Sequence, residues 1–280
     1  MTRRHSRWLA AFSACAVILP AGARLRAAPA EQTQPSAMVA LITQLEGNDT
    51  SARRRLEILH GLSPNISSTD AAALLAFAVL PKPDGLPEVF WHAIFNDIFD
   101  LLLRMKNLPG GTDRELIRAA AGNPDPVLRD YALQKLGHLM RRSSLPDALR
   151  ANALEAVKNS AGTAGRNMQG TALLTWQRLE TGPASSEFRK AVMACLQSSE
   201  ATEPARTAAF QAGSAAGMRE TAPAARQALQ NPRSVTPLKL SAMAALAVAG
   251  TKEDAALLRS FLSDNTCRPA AQAALSKLGL

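Results

Sequence analysis

The chain has 280 residues, of which 47% are apolar but only 4% aromatic. That is enough for a buried core built from Ala and Leu rather than from rings. Strand-favouring Val, Ile, Thr and Tyr are sparse and no stretch alternates apolar and polar side chains, so a sheet sandwich or barrel is excluded. The formal charge is +9, but part of it resides at the N-terminus and has to be read there first.

Residues 1–28 have the layout of a secretory signal. Arg3, Arg4 and Arg7 form a basic start. The run from Trp8 to Ala23 is apolar apart from Ser13 and Pro20, and Ala27, Ala28 and Ala30 supply small residues for cleavage. The run is shorter than the ~20 residues that span a bilayer, so export with cleavage near 23–30 is expected, the alternative being an uncleaved N-terminal anchor. Arg3-Arg4 also allows a twin-arginine signal, against which Ser6 stands. Phe12-Ser13-Ala14-Cys15 lacks the leading Leu of a lipoprotein box. Removal of this segment takes away Arg3, Arg4, Arg7, Arg24 and Arg26 and leaves 27 basic against 23 acidic residues, a formal +4. That is ordinary for a soluble domain, so no nucleic-acid partner is expected. Cys195 and Cys267 stay behind, too far apart in a repeat stack for a bridge, and are expected as free, buried thiols.

Residues 29–35 read as a linker. Helices are then expected over 36–46, 50–61, 68–79, 87–106, 112–121, 125–141, 146–159, 166–179, 185–197, 203–213, 220–229, 236–248, 252–263 and 267–278. Short connections make neighbours antiparallel. Asn123-Pro124-Asp125-Pro126 and Asn231-Pro232 break helices because proline lacks an amide donor and restricts the residue before it. Thr112 and Glu115 have capping-box spacing, and Ser67, Ser68, Ser185 and Thr266 are candidate caps. Arg53-Arg54-Arg55 reads as a solvated face.

The first part, 36–106, is an irregular helical cap. Its distinctive element is the stretch from Leu86 to Lys106, apolar round most of its circumference through Phe90, Trp91, Ile94, Phe95, Ile98 and Phe99. Such a helix is buried on two sides, or it lines a partner groove left open by a missing neighbour. Trp91, Phe95 and Phe99 fall on one line and are expected to pack near Leu116, Leu128 and Leu136. Trp91, His92, Asn96 and Asp100 are the candidate partner-binding residues. His92, Asn96 and Asp100 read as a solvated stripe near the loop from Lys82 to Gly85. His92 and Asp100 are about two turns, or ~12 Å, apart, too far for one metal ion.

Over 110–280 a pattern recurs: apolar, basic, then small or apolar at positions five, eight and nine. It appears as Leu128-Arg129, Ala132, Lys135-Leu136; Leu149-Arg150, Ala153, Ala156-Val157; and Phe188-Arg189, Val192, Cys195-Leu196. It returns as Leu238-Lys239, Ala242, Ala245-Leu246 and Cys267-Arg268, Ala271, Ala274-Leu275. Weaker copies start at Ala205-Arg206 and Thr221-Ala222. Lys135 breaks the rule at a small position. The starts at 188, 205, 221 and 238 are near-evenly spaced, and two steps make one helical hairpin. The small residues let the next helix approach, and the basic residue can lay its stem over the hairpin towards a carboxylate or carbonyl.

The stretch from Pro126 to Gly137 and residues 236–280 resemble the HEAT-like repeat of bacterial HEAT-repeat and phycobilisome-lyase-type proteins, with Glu253 to Asp264 similar to the companion helix. The likeness is good over about 124–160 and 185–280 and poor before 110. It implies an all-α solenoid of stacked antiparallel hairpins and a tendency to bind partners, and it carries no catalytic residues. No His-Glu pair, HExxH, GxSxG or phosphate loop occurs. The expectation is therefore a non-catalytic exported scaffold binding a protein or peptide, without cofactor or metal. The alternative is a small-ligand or lyase-like protein using a pocket beside the 87–106 helix.

Overall fold

The structure, a computed structural model, describes residues 41–42, 44–45, 51–142, 145–162, 168–180 and 182–280. The expected signal at 1–28, the linker at 29–35 and most of the first expected helix lie outside the described residues. Those described belong to one compact unit that begins at Ser36.

Thirteen α-helices and no strand occur among the described residues. They are α1 (Ala52–His60), α2 (Ser68–Ala78), α3 (Glu88–Arg104), α4 (Thr112–Gly122), α5 (Pro126–Arg142), α6 (Asp147–Ala161) and α7 (Met168–Leu179). Then come α8 (Ser186–Gln197), α9 (Glu203–Ala215), α10 (Ala222–Gln230), α11 (Thr236–Ala249), α12 (Ala255–Arg259) and α13 (Arg268–Lys277). From α4 onward the helices pair as hairpins, and each hairpin stacks on the next. α5, α7, α9, α11 and α13 form one layer, each packed on its neighbour, while α4, α6, α8, α10 and α12 form the other. α3 extends the first layer by packing on α5, with α1 and α2 against its other sides. The described residues form an all-α solenoid with a HEAT-like arrangement.

The two layers hold together by different means. In the first, glycine and alanine bring backbones close. A Cβ on Gly170 of α7 would sit 2.9 Å from Ala208 Cβ and 3.1 Å from Ala205 Cα of α9. One on Gly137 of α5 would sit 3.1 Å from Thr175 Cγ2 of α7. Beyond α6 the second-layer helices touch sparingly, and long side chains bridge the gap. Lys158 of α6 pairs with Glu187 of α8, and Arg189 of α8 reaches Glu220 beside α10 at 2.7 Å. Arg226 of α10 reaches Asp254 beside α12 at 2.6 Å. Gly170→Ala is expected to lower stability by about 1–3 kcal/mol through overpacking, although alanine alone favours a helix by up to ~1 kcal/mol. Denaturant unfolding reads the sign, and stabilisation would mean that the layer parts freely.

The repeat positions do what their residue types suggest. Leu128, Ala132, Ala153, Phe188, Val192, Ala209, Leu238, Ala242, Cys267 and Ala271 are all buried. In four of the copies the basic residue clamps the preceding turn. Arg129 donates to Asn123 O at 3.1 and 2.6 Å, and Arg189 to Ala184 O at 3.3 Å. Arg206 donates to Ser198 O at 2.7 Å and Arg268 to Leu262 O at 2.8 Å. These bonds satisfy loop carbonyls that the helices leave over. Cys195 and Cys267 are free and buried. Burial pushes the Cys195 thiol up to about 11, so Ellman's reagent at pH 8 should leave it unmodified in the native protein, as mass spectrometry of its peptide would record.

Several local expectations are corrected. Thr112 forms no capping box. The cap of α4 is Gly111 in the left-handed region (φ 89°), and the buried Thr112 hydroxyl donates to Pro109 O at 2.8 Å instead. The box exists elsewhere, between Thr251 and Asp254. Ser67 and Ser185 do cap α2 and α8. Thr266 does not cap, because Asp264 Oδ1 accepts from the amides of Thr266 and Cys267. The helix expected over 252–263 is a 3₁₀ turn followed by the short α12, since from Phe261 the amides bond three residues back rather than four. Arg53 and Arg54 are exposed and pair with Glu57, whereas Arg55 is 3% exposed and belongs to the core.

Candidate binding cleft

Helix α3 starts after Pro87, carries Glu88 in its first turn and ends where Met105 turns extended. Both ends suit its dipole, with the acid first and Arg104 last. Its apolar residues cover more than half the circumference, so it is packed from several sides. Trp91, Phe95 and Phe99 are 4%, 2% and 0% exposed. Trp91 meets Phe77 of α2 edge to face at 5.6 Å between ring centroids. Phe95 and Phe99 lie 4.7 Å apart. Leu116, Leu128 and Leu136 join the same core. The aromatic line therefore packs the cap against the first regular hairpin, as its spacing implies.

It also floors a cleft of about 590 Å³. α2 and α4 do not close over α3 in the second layer, and the gap between them is the opening. One wall is the end of α2 and the following turn, through Ala78, Leu80 and Lys82. The opposite wall is α4 with the Asn123–Asp125 corner, through Glu115, Arg118 and Ala119. Leu80 on the rim is 50% exposed, and Val89, next to the lining residue Glu88, is 68% exposed. The three rings are core residues that also line the bottom of the groove, where Trp91 and Phe95 keep the little exposure they have.

The other candidate residues lie on a different face. His92 Nε2 meets Asp125 Oδ2 at 2.6 Å, joining α3 to the start of α5. Asp100 Oδ1 accepts from Lys135 Nζ at 2.6 Å, and Asn96 donates to Asp97 at 3.3 Å and Asp100 at 3.4 Å. His60 of α1 contacts Asp97 at 2.9 Å. Against expectation this stripe is half-buried rather than fully solvated, the Asp100 side chain being 44% exposed. It ties α3 to α5 and α1, and Lys82 donates to Leu86 O at 2.7 Å. Lys135, the residue that breaks the repeat pattern, is buried, with its ammonium on Asp100. Of the four candidates only Trp91 lines the cleft. Leu80, Glu115, Arg118 and Asp125 had no signal marking them as its walls, because an Asn-Pro-Asp-Pro corner reads as a turn whatever it borders.

Asp125 is the cleft residue with a perturbed carboxyl. Desolvation works to raise its pKa, but the His92 contact and the Val127 and Leu128 amides outweigh this and hold it below the usual carboxylate range. It is therefore an anionic helix cap and an orienting partner for His92. Among the described residues the lining includes no Ser, Thr or Cys. Among the described residues no group of three or more His, Cys, Asp or Glu is placed to hold a metal ion, and no helix is long and apolar enough to cross a membrane. The arrangement is suited to binding: an apolar floor, an apolar lip and a rim of mixed charge.

No family model matches the chain, and no curated protein matches it. Among solved structures it is similar to human deoxyhypusine hydroxylase in complex with glycerol, at 15% identity and a TM-score of 0.36, over 86% of this chain and 96% of that one.

Proposed function

We propose that the protein is a non-catalytic member of the HEAT-like repeat proteins that binds a protein or peptide segment through the cleft over α3. The cleft carries the reading: Trp91, Phe95 and Phe99 at the bottom, and Leu80 exposed on its rim. Such a groove takes an apolar anchor from a partner, while Lys82, Glu88, Glu115 and Arg118 set its orientation. We place the protein in the bacterial envelope, as the basic start, short apolar run and small residues of positions 1–28 support. N-terminal sequencing after fractionation tests this, and an intact N-terminus on a cytoplasmic protein would end it.

The binding test is a pulldown from envelope extract with the wild-type protein and with Leu80→Asp. Leu80 is half exposed, so the change should leave the melting temperature within a few degrees. The expected result is a partner captured by the wild type and lost in the variant. Equal capture by both removes the cleft from the interface. The second reading, a small-ligand protein, is favoured by one observation: a volume of about 590 Å³ falls in the range of ligand pockets, roughly 300–1,000 Å³. A metabolite that raises the melting temperature, and fails to do so in Leu80→Asp, would put this reading first.

A further inference from the structure

A second concavity lies on another face of α3. Asp100, Leu103, Arg104, His138 and Arg141 line a pocket of about 220 Å³ at the C-terminal ends of α3 and α5. Arg104 and Arg141 occupy equivalent places and behave alike. Each turns Nε back to the carbonyl four residues earlier, Asp100 O and Gly137 O, both at 3.2 Å. That bond fixes the guanidinium over the helix end and does not use its Nη groups. Arg178 stands at the matching place on α7, so a guanidinium recurs on three successive helices, α3, α5 and α7, at 104, 141 and 178, and all three are exposed.

A cation at a helix C-terminus suits the dipole, which accounts for one such residue but not for a pocket between two of them. The pocket's own carboxylate, Asp100, is already engaged by Lys135 and Asn96. The local field is positive. Desolvation and then the charges of Arg141 and Lys135 lower the proton affinity of His138, with Asp100 opposing them and Arg178 adding to them.

We propose that this arginine column binds an acidic, extended segment of a partner protein laid across the ends of α3, α5 and α7. Packed helices lie about 8–10 Å apart, and a chain in the polyproline II conformation, rising about 3.1 Å per residue with about three residues per turn, covers that in about three residues and returns every third side chain to the same face. A carboxylate at every third position therefore meets one guanidinium after another. Arginine forks take carboxylates as bidentate pairs, and the pocket has room for one such side chain. The site stands apart from the cleft and does not depend on it.

The test is fluorescence anisotropy of the full chain with a labelled peptide of repeating Glu-Ser-Ser triplets. This peptide has no apolar anchor, so it reports on the column alone, while Leu80→Asp reports on the cleft. Expected are saturable binding that weakens as salt rises, a loss of about tenfold or more with the Gln-Ser-Ser peptide, and a loss of about tenfold in Arg141→Gln. Arg178→Gln serves as the second variant if Arg141→Gln shifts the melting temperature. Equal binding of the Gln peptide, or unchanged affinity in the Arg104→Gln, Arg141→Gln and Arg178→Gln variants, overturns the proposal. So does binding of inorganic phosphate or phosphatidylglycerol vesicles without binding of the acidic peptide.

Discussion

Phe95→Ala is expected to destabilise the protein by about 3–5 kcal/mol, the usual cost of removing a buried aromatic ring. Phe95 is 2% exposed and stacks obliquely on Phe99. Its loss removes a contact between cap and array as well as apolar burial. Because a solenoid's stability is close to a sum over neighbouring units, the damage should concentrate at the α1–α5 end. Hydrogen exchange would accelerate there first, ahead of α9 to α13, and the denaturant midpoint would fall. The same truncation deepens the floor of the cleft, so partner binding should weaken together with stability. An unchanged melting temperature with abolished binding would instead make the aromatic ridge an open docking surface and not part of the core.

Asp254→Asn carries the second large effect, and its pH dependence identifies the cause. The Asp254 side chain is 4% exposed and accepts Arg226 Nε at 2.6 Å, Arg226 Nη2 at 3.1 Å and the Thr251 amide at 2.8 Å. The Arg226 hydrogen bonds hold its carboxyl below the ordinary range, against desolvation and with help from the Thr251 amide. Replacement by Asn keeps the shape and removes the charge, at a cost of about 2–3 kcal/mol at neutral pH. Arg226 is 36% exposed, so water partly hydrates the stranded guanidinium and keeps the figure below that of a fully buried pair. A carboxyl with a depressed folded-state pKa adds stability above its unfolded pKa and loses it as pH falls through the folded value. The gap between wild type and Asp254→Asn should therefore be full at neutral pH and narrow below about pH 4. A gap independent of pH would assign the loss to packing and to the Thr251 cap, not to the ion pair.

The helical solenoid was legible from residue order because its signals are local and repeated. Apolar residues at helical spacing place Leu128, Val192, Leu238 and Ala271 in the core. Pro124 keeps α4 from continuing and Pro126 opens α5 at its first position, since a missing amide needs no tertiary context. The arginine after the first apolar position, at 129, 189, 206 and 268, clamps its own preceding turn, a contact within about eight residues that spacing alone can suggest. The aromatic line of α3 was legible for the same reason, as one face of one helix.

What only the tertiary structure decided is which surfaces meet across the stack. The cleft exists because α2 and α4, separated by the whole of α3, fail to close over it, and no local pattern records the distance between two helices. His92, Asn96 and Asp100 look like a solvated stripe in sequence, and their partners Asp125 and Lys135 stand a full hairpin away. The irregular Lys135 looked like a blemish in the repeat until Asp100 was placed beside it. Second-layer pairs such as Arg226 with Asp254 follow the same rule. A residue's helix and face are set by its near neighbours, whereas its partner depends on how far apart the small residues between layers allow the helices to stand.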